Sequence, residues 1–228
     1  MTGARARARV ATIADIKAEA SRQLAETGAA GLSLRGVARE LGMVSSGIYR
    51  YFATRDELLT ALIVDAYNEL GDAADAAAIA TRWSARRRWI ETAVTVRNWG
   101  VAHPHKWALL YGSPVPGYAA PDTTVDPGTR VSRVLLRIVA DAAGSGQLGN
   151  VEGPPVPRQL GRELGRLAEL TDMPVALATV VRVLAAWSQL FGLVSFEVFG
   201  QTRGVVEDHA ALLRVTADLM ATTIGFTE

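Results

Sequence analysis

The chain has 228 residues, 49% apolar and 21% charged, with no cysteine and a formal net charge of +1. That composition excludes disorder and fibrous repeats, and the missing cysteine excludes disulfides, thiolate catalysis and Cys-ligated zinc. The near-neutral total hides an asymmetry: residues 1–52 carry eight Lys/Arg against four Asp/Glu, while residues 53–228 carry 16 against 19. A basic head on a mildly acidic body suggests that the head binds a polyanion.

No segment reads clearly as a strand, and apolar residues recur at helical spacing nearly everywhere. The first predicted helix runs from about Ile13 to Glu26, with Ile13, Ile16, Ala20 and Leu24 on one face and Gly28 as its stop. Thr12 and Asp15 resemble a capping box at its start. The second, Leu34–Leu41, faces Leu34, Val37, Ala38 and Leu41 inward, with Ser33 as N-cap and Gly42 as the residue after the C-cap. A short third helix, about Ser46–Phe52, turns only Ile48 and Phe52 inward. The fourth starts at a Thr54/Glu57 capping box and runs to about Ala78.

Further predicted helices cover about Arg86–Ala102, His105–Tyr111, Thr129–Ala143, Arg158–Leu170, Val175–Phe199 and Val205–Ile224. Two loops rich in proline and glycine, Gly112–Gly128 and Gly144–Pro157, separate them. The most apolar stretch leaves 14 uncharged residues between Arg182 and Glu197. That is short of the roughly 18 needed for a spanning helix and fits a buried core helix. The arginine-rich start lacks the apolar run of a secretory signal, so a soluble, cytoplasmic protein with no membrane partner is expected.

The second and third helices carry the functional signal. A short amphipathic helix, a turn of three or four residues and a short helix showing Ser45, Ser46, Gly47, Tyr49 and Arg50 form a helix-turn-helix layout, whose second helix enters the major groove of DNA. Arg50 can bond guanine bidentately or hold a phosphate. Tyr49, Tyr51 and the serines can donate to phosphates, and Gly47 lets the backbone approach the bases. Arg55, beside the first amide groups of the fourth helix, makes an anion site. Ser33 and Arg35, at the start of the second helix, complete the candidate DNA-facing set. On spacing alone, two short helices packed by their apolar residues could equally be part of a plain bundle.

The stretch Thr12–Leu59 resembles the DNA-binding domain of the TetR family of regulators. The matching pieces are the glycine ending the first helix, Val37-Ala38, Leu41-Gly42, Ile48-Tyr49-x-Tyr51-Phe52 and Arg55-x-x-Leu58-Leu59. One departure stands out: Gly42-Met43-Val44 replaces the family's usual Gly-Val-Ser, so Ser45 or Ser46 is expected to take over the capping. The pieces starting at His103 and Trp187 resemble one C-terminal subtype, the WHG type. The resemblance implies an all-α protein: a three-helix DNA-binding domain (10–55), a connecting helix (56–80) and a helical ligand-binding and dimerisation domain (81–228). It further implies a homodimeric, ligand-responsive regulator, a repressor on a palindromic double-stranded DNA operator. A ligand-independent DNA-binding dimer is the alternative, and an enzyme using the same cavity a weaker one, since no motif supplies a nucleophile, base or metal.

Two further sets follow. Val175–Phe199 and Val205–Ile224 are apolar over more than one face, which offers Leu190, Leu193, Val194, Leu212, Val215, Leu219 and Met220 to a partner copy. With the resemblance, the aromatic residues Trp99, Trp107, Tyr111, Tyr118, Trp187 and Phe191 are candidates to line a cavity for a small apolar ligand, with Arg97, Asn98, Gln189 and Ser195 as polar anchors. Gly144–Gly149 fits G-x-G-x-x-G by letter but lacks the strand before and helix after it. His103 and His105 read as a helix end and a surface position. No metal or cofactor is implied. Arg86-Arg87-Arg88 opens a helix against its dipole, explained only by a solvated face or a contact with the head.

Overall fold

A computed structural model describes residues 2–80, 82–170 and 175–227. Its helices are α1 (Thr2–Gly31), α2 (Leu34–Glu40), α3 (Ser45–Ile48), α4 (Arg55–Ala78), α5 (Ala85–Ala102), α6 (Pro104–Tyr111), α7 (Val125–Gly128), α8 (Arg130–Gly144), α9 (Arg158–Leu170), α10 (Leu177–Val198) and α11 (His209–Ile224). Among the described residues the sole extended pairing is an isolated bridge between Leu148 and Phe226. The fold is all-α.

The expected Thr12 cap does not exist. α1 begins ten residues earlier, and the Thr12 hydroxyl donates to the Ala8 carbonyl at 3.0 Å. The run from Ala4 to Ala11 is alanine and arginine with a single valine, strong helix formers without an apolar stripe, so periodicity could not see it. Gly28, at φ 69°, breaks the helix, and one more turn follows to Gly31. The predicted third helix is shorter than expected: α3 ends at Ile48, and a tight turn carries the chain to Phe52 through bonds from the Tyr51 and Phe52 amides to the Ile48 carbonyl.

The chain separates into two compact units, and they cut across the boundaries expected from the sequence. One unit holds the chain up to Tyr67 together with His105–Gly128; the other holds Asn68–Pro104 and everything from Thr129. The core of the first is Ile16, Ala20, Leu24, Leu34, Val37, Ala38, Ile48, Phe52, Leu58, Leu59 and Leu62, with Leu109, Leu110, Val115 and Tyr118 packed against it. Segment 105–128, expected in the sensor domain, therefore helps to cover the head's core.

In the second unit α5 packs against α8, α10 and α11. Its buried stripe of Ala85, Trp89, Ala93 and Val96 recurs every three or four residues, as a helix with one buried face requires. Loop 145–157 is pinned to the C-terminus: the Gly149 amide donates to the Gly225 carbonyl at 2.8 Å, and Thr227 to Gln147 at 2.9 Å. By length and composition α10 could cross a membrane. It packs instead along α5, α9 and α11, and its Arg182 donates to the Val151 and Glu152 carbonyls.

Candidate functional site

The helix-turn-helix is built by short-range devices. Ser33 accepts a hydrogen bond from the Gly36 amide at 3.3 Å and caps α2. Gly42, at φ 64°, ends it, and the Met43 amide closes the turn onto the Ala38 carbonyl at 2.8 Å. Val44 is the N-cap of α3 and no side chain caps it, so neither Ser45 nor Ser46 assumes the role expected of them. Ile48, wholly buried, and Phe52 fix α3 on the head core. Opposite them Ser45, Ser46, Tyr49 and Arg50 are exposed, Tyr49 at 44%. Arg35 is exposed as well, and it shares with Ser33 and Arg39 a shallow groove of about 420 Å³. Gly47 is half-buried, and a Cβ there would have only Met43 Cε within reach, at 3.9 Å.

The structure corrects the expectation for one member of the set. Arg55 turns inward: its guanidinium donates to the Ala29 carbonyl at 2.6 Å and the Leu32 carbonyl at 3.1 Å, closing the orphaned end of α1. It is a brace within the head. Tyr51 is half-buried, with the Arg9 guanidinium 5.1 Å above its ring. Arg9, unnoticed in the sequence, also donates to the Arg50 carbonyl at 3.3 Å. At the start of α4 the Thr54/Glu57 cap forms as expected: Thr54 accepts from the Glu57 amide at 3.1 Å, and Glu57 reaches back to the Ala53 amide at 2.7 Å.

The six candidate ligand-binding aromatics divide between the units. Trp107, Tyr111 and Tyr118 belong to the first, and Trp99, Trp187 and Phe191 to the second. Trp107 is completely buried with its ring 4.6 Å from Tyr111, which meets Tyr67 edge-on. Burial raises the pKa of the Tyr111 and Tyr67 hydroxyls, and each gains a smaller push from a neighbouring tyrosine. The Tyr118 hydroxyl hydrogen-bonds to Thr60 at 2.9 Å. Trp99 lies against His103, which caps the end of α5, and Trp187 lies against Phe191 on α10.

Of the expected polar anchors, Arg97 is already engaged: it forms a bidentate ion pair with Glu197 at 2.5 and 2.7 Å and donates to Asn98 at 3.2 Å. Gln189 is exposed and Ser195 half-buried. A groove of about 550 Å³ in the second unit is lined by Ser84, Arg86, Arg87, Ile90, Glu91, Arg214 and Asp218, five of which are charged and none aromatic. The unpredicted pair is Trp89 and Thr92 on α5, whose indole N–H and hydroxyl are buried without a hydrogen-bond partner among the described residues. A buried polar group left so costs about 1–3 kcal/mol until something pairs with it.

The arginine triplet has a structural explanation. Arg86 ties α5 to Asp218 and Thr222 on α11, Arg88 donates to the Ala78 carbonyl and to Asp141, and Arg87 stacks on Trp83 at 4.4 Å. Among the candidate dimer residues, Leu190, Val194 and Met220 are buried within the chain itself, so they have no area left for a partner. Leu193 and Leu212 are half-buried. Val215 and Leu219, one turn apart on α11, are 60% and 58% exposed.

Two sequence families match the chain. Residues 16–62 match "Bacterial regulatory proteins, tetR family", and residues 89–220 match "Tetracyclin repressor-like, C-terminal domain". The HTH-type transcriptional regulators Rv1816 of Mycobacterium tuberculosis and Mb1846 of Mycobacterium bovis are each 43% identical over 184 residues, 79% of this chain and 77% of theirs. The crystal structure of the regulatory protein SCO4313 superposes with a TM-score of 0.77 at 32% identity, covering 95% of this chain and 98% of that one.

Proposed function

The chain belongs to the TetR family of bacterial transcriptional regulators, and from that premise we propose that it is a ligand-released repressor binding a palindromic operator as a cytoplasmic homodimer. It is a regulator and not an enzyme, and members of its family bind operator DNA as dimers. One observation carries the DNA-facing assignment. α3 is anchored by buried Ile48 and Phe52 while Ser45, Ser46, Tyr49 and Arg50 stand in solvent on its other side. A recognition helix requires that division: apolar groups hold it in place and polar groups stay available for base edges and phosphates. Arg50 is the candidate base reader, and Ser33, Arg35, Ser45, Ser46 and Tyr49 are candidate backbone contacts.

Dimerisation is assigned to α11 and the end of α10, where Val215, Leu219, Phe196 and Phe199 are exposed and Leu193 and Leu212 are half-covered. An isologous pairing there holds two recognition helices at one spacing, which a two-fold operator needs. The sensing role is supported by the orphaned Trp89 indole and Thr92 hydroxyl in the core of the second unit. A small, mostly apolar ligand with one acceptor and one donor would satisfy both. A ligand-independent dimer remains the second reading, favoured by the complete burial of Trp89 and Val96 at that same place.

Selection of bound fragments from sheared genomic DNA tests the main reading. Enrichment of a palindrome with half-sites about one helical turn apart, or a multiple of it, is expected; the absence of any enriched sequence overturns the reading. A thermal-shift screen of small aromatic and aliphatic metabolites then separates the two variants. A ligand that stabilises the protein must weaken operator binding by the same factor by which operator weakens ligand binding. No hit, or a hit without effect on operator affinity, leaves the ligand-independent dimer.

A further inference from the structure

The first turns of α1 play no part in the head's core. Residues 3–11 are all exposed, yet they continue α1 as regular helix. Their charge is of one sign: Arg5, Arg7 and Arg9 precede the first acidic residue, Asp15. Neither Arg5 nor Arg7 has a carboxylate or other polar partner among the described residues. A helical segment of this length has little stability by itself, and its three cations repel one another.

What distinguishes the segment is where it lies. The Arg9 guanidinium donates to the Arg50 carbonyl at 3.3 Å and covers the Tyr51 ring at 5.1 Å, which seats the segment beside the end of the recognition helix. That carbonyl takes one of the five donors a guanidinium carries. Arg5, four residues back, shares the face of Arg9, displaced by about 6 Å along the axis, while Arg7 points to the other side.

We propose that residues 3–10 form a second DNA-contacting element, which sets Arg5 and Arg9 on phosphates flanking the footprint of the recognition helix. The proposal rests on the reading of the head as a DNA-binding unit. It adds a sequence-independent contact beside the sequence-reading one, and the uncompensated charge of the segment is neutralised by the polyanion.

The test uses the full chain and a 40-bp duplex of random sequence, with affinity measured by fluorescence anisotropy from 50 to 200 mM salt. Each phosphate contact removed lowers the slope of log affinity against log salt by about 0.9. In a dimer with both heads on the duplex each substitution removes two contacts, so Arg5→Gln should shrink the loss over that fourfold salt range by about 12-fold, and Arg5→Gln with Arg9→Gln by about 150-fold. Arg5→Lys should keep the wild-type slope, and the melting temperature of Arg5→Gln should be unchanged because the residue is exposed. Wild-type binding with an unaltered slope in Arg5→Gln overturns this proposal and leaves the head's assignment intact. Failure of the wild type to bind any duplex overturns both. Wild-type binding to vesicles of phosphatidylcholine and phosphatidylglycerol at 3:1 that is abolished by Arg5→Gln, with the duplex slope unaltered, assigns the segment to a membrane surface and overturns it too.

Discussion

The two compact units leave different surfaces uncovered. On the helix-turn-helix the polar and basic groups face solvent, Ser45 and Ser46 on α3, Tyr49 and Arg50 in the turn that follows it, Arg35 on α2 and Arg5 and Arg7 on α1. On the second unit the long α11 exposes an apolar pair, Val215 and Leu219, and α10 ends in exposed Phe196 and Phe199. A surface short of negative charge is completed by a polyanion; an apolar one is completed by another apolar surface, for which the proposed occupant is a second copy. The chain thus carries two unfinished surfaces of opposite chemistry, and substitutions should separate them.

The largest effect is expected from Leu219→Lys. Leu219 is exposed in the single chain, so folding should be unaffected. Association should weaken by about 2–4 kcal/mol per copy if the residue anchors the interface, and operator binding should fall with it. Sedimentation equilibrium and anisotropy on the same samples check this; a stable dimer with full operator affinity would place the interface elsewhere.

Next comes Ile48→Ala, which empties a wholly buried site in the head and should cost about 2–5 kcal/mol there. Hydrogen exchange should show α2 and α3 opening while the protein stays dimeric by light scattering. Loss of the dimer in this variant would break the separation between the units.

Arg50→Ala should cost about 1–3 kcal/mol on the operator and relax preference at one base-pair position, with little change on random DNA. A uniform loss on both would make Arg50 a phosphate contact. The smallest effect on DNA is expected from Arg55→Ala. Its guanidinium is bonded to the Ala29 and Leu32 carbonyls, so its removal should lower the head's thermal stability by about 1–3 kcal/mol and leave the salt slope of DNA binding unchanged. A flattened slope would return Arg55 to the phosphate-binding set.

How far the sequence reached follows from the range of the forces involved. The Ser33 cap, the Gly42 turn, the Thr54/Glu57 cap and the inward pair Ile48 and Phe52 all formed as read. Each depends on residues no more than four or five apart, so the local sequence settles it whatever the rest of the chain does. The helix-turn-helix and the all-α class were legible for that reason, together with the family's motif.

Interactions over long separations were not. Leu190, Val194 and Met220 look the same in sequence as Val215 and Leu219, since helical periodicity marks a residue as apolar without saying what covers it. Their own chain buries the first three and leaves the last two open. Arg55 finds its carbonyls 23 and 26 residues away, Arg97 finds Glu197 a hundred residues on, and segment 105–128 packs on the head instead of the body beside it in sequence. The sequence by itself determined which short helices form, where they cap and which face each turns inward. Only the tertiary structure decided which apolar faces remain for a partner and which arginines remain for DNA, because a side chain's availability depends on whatever the rest of the chain has already packed against it.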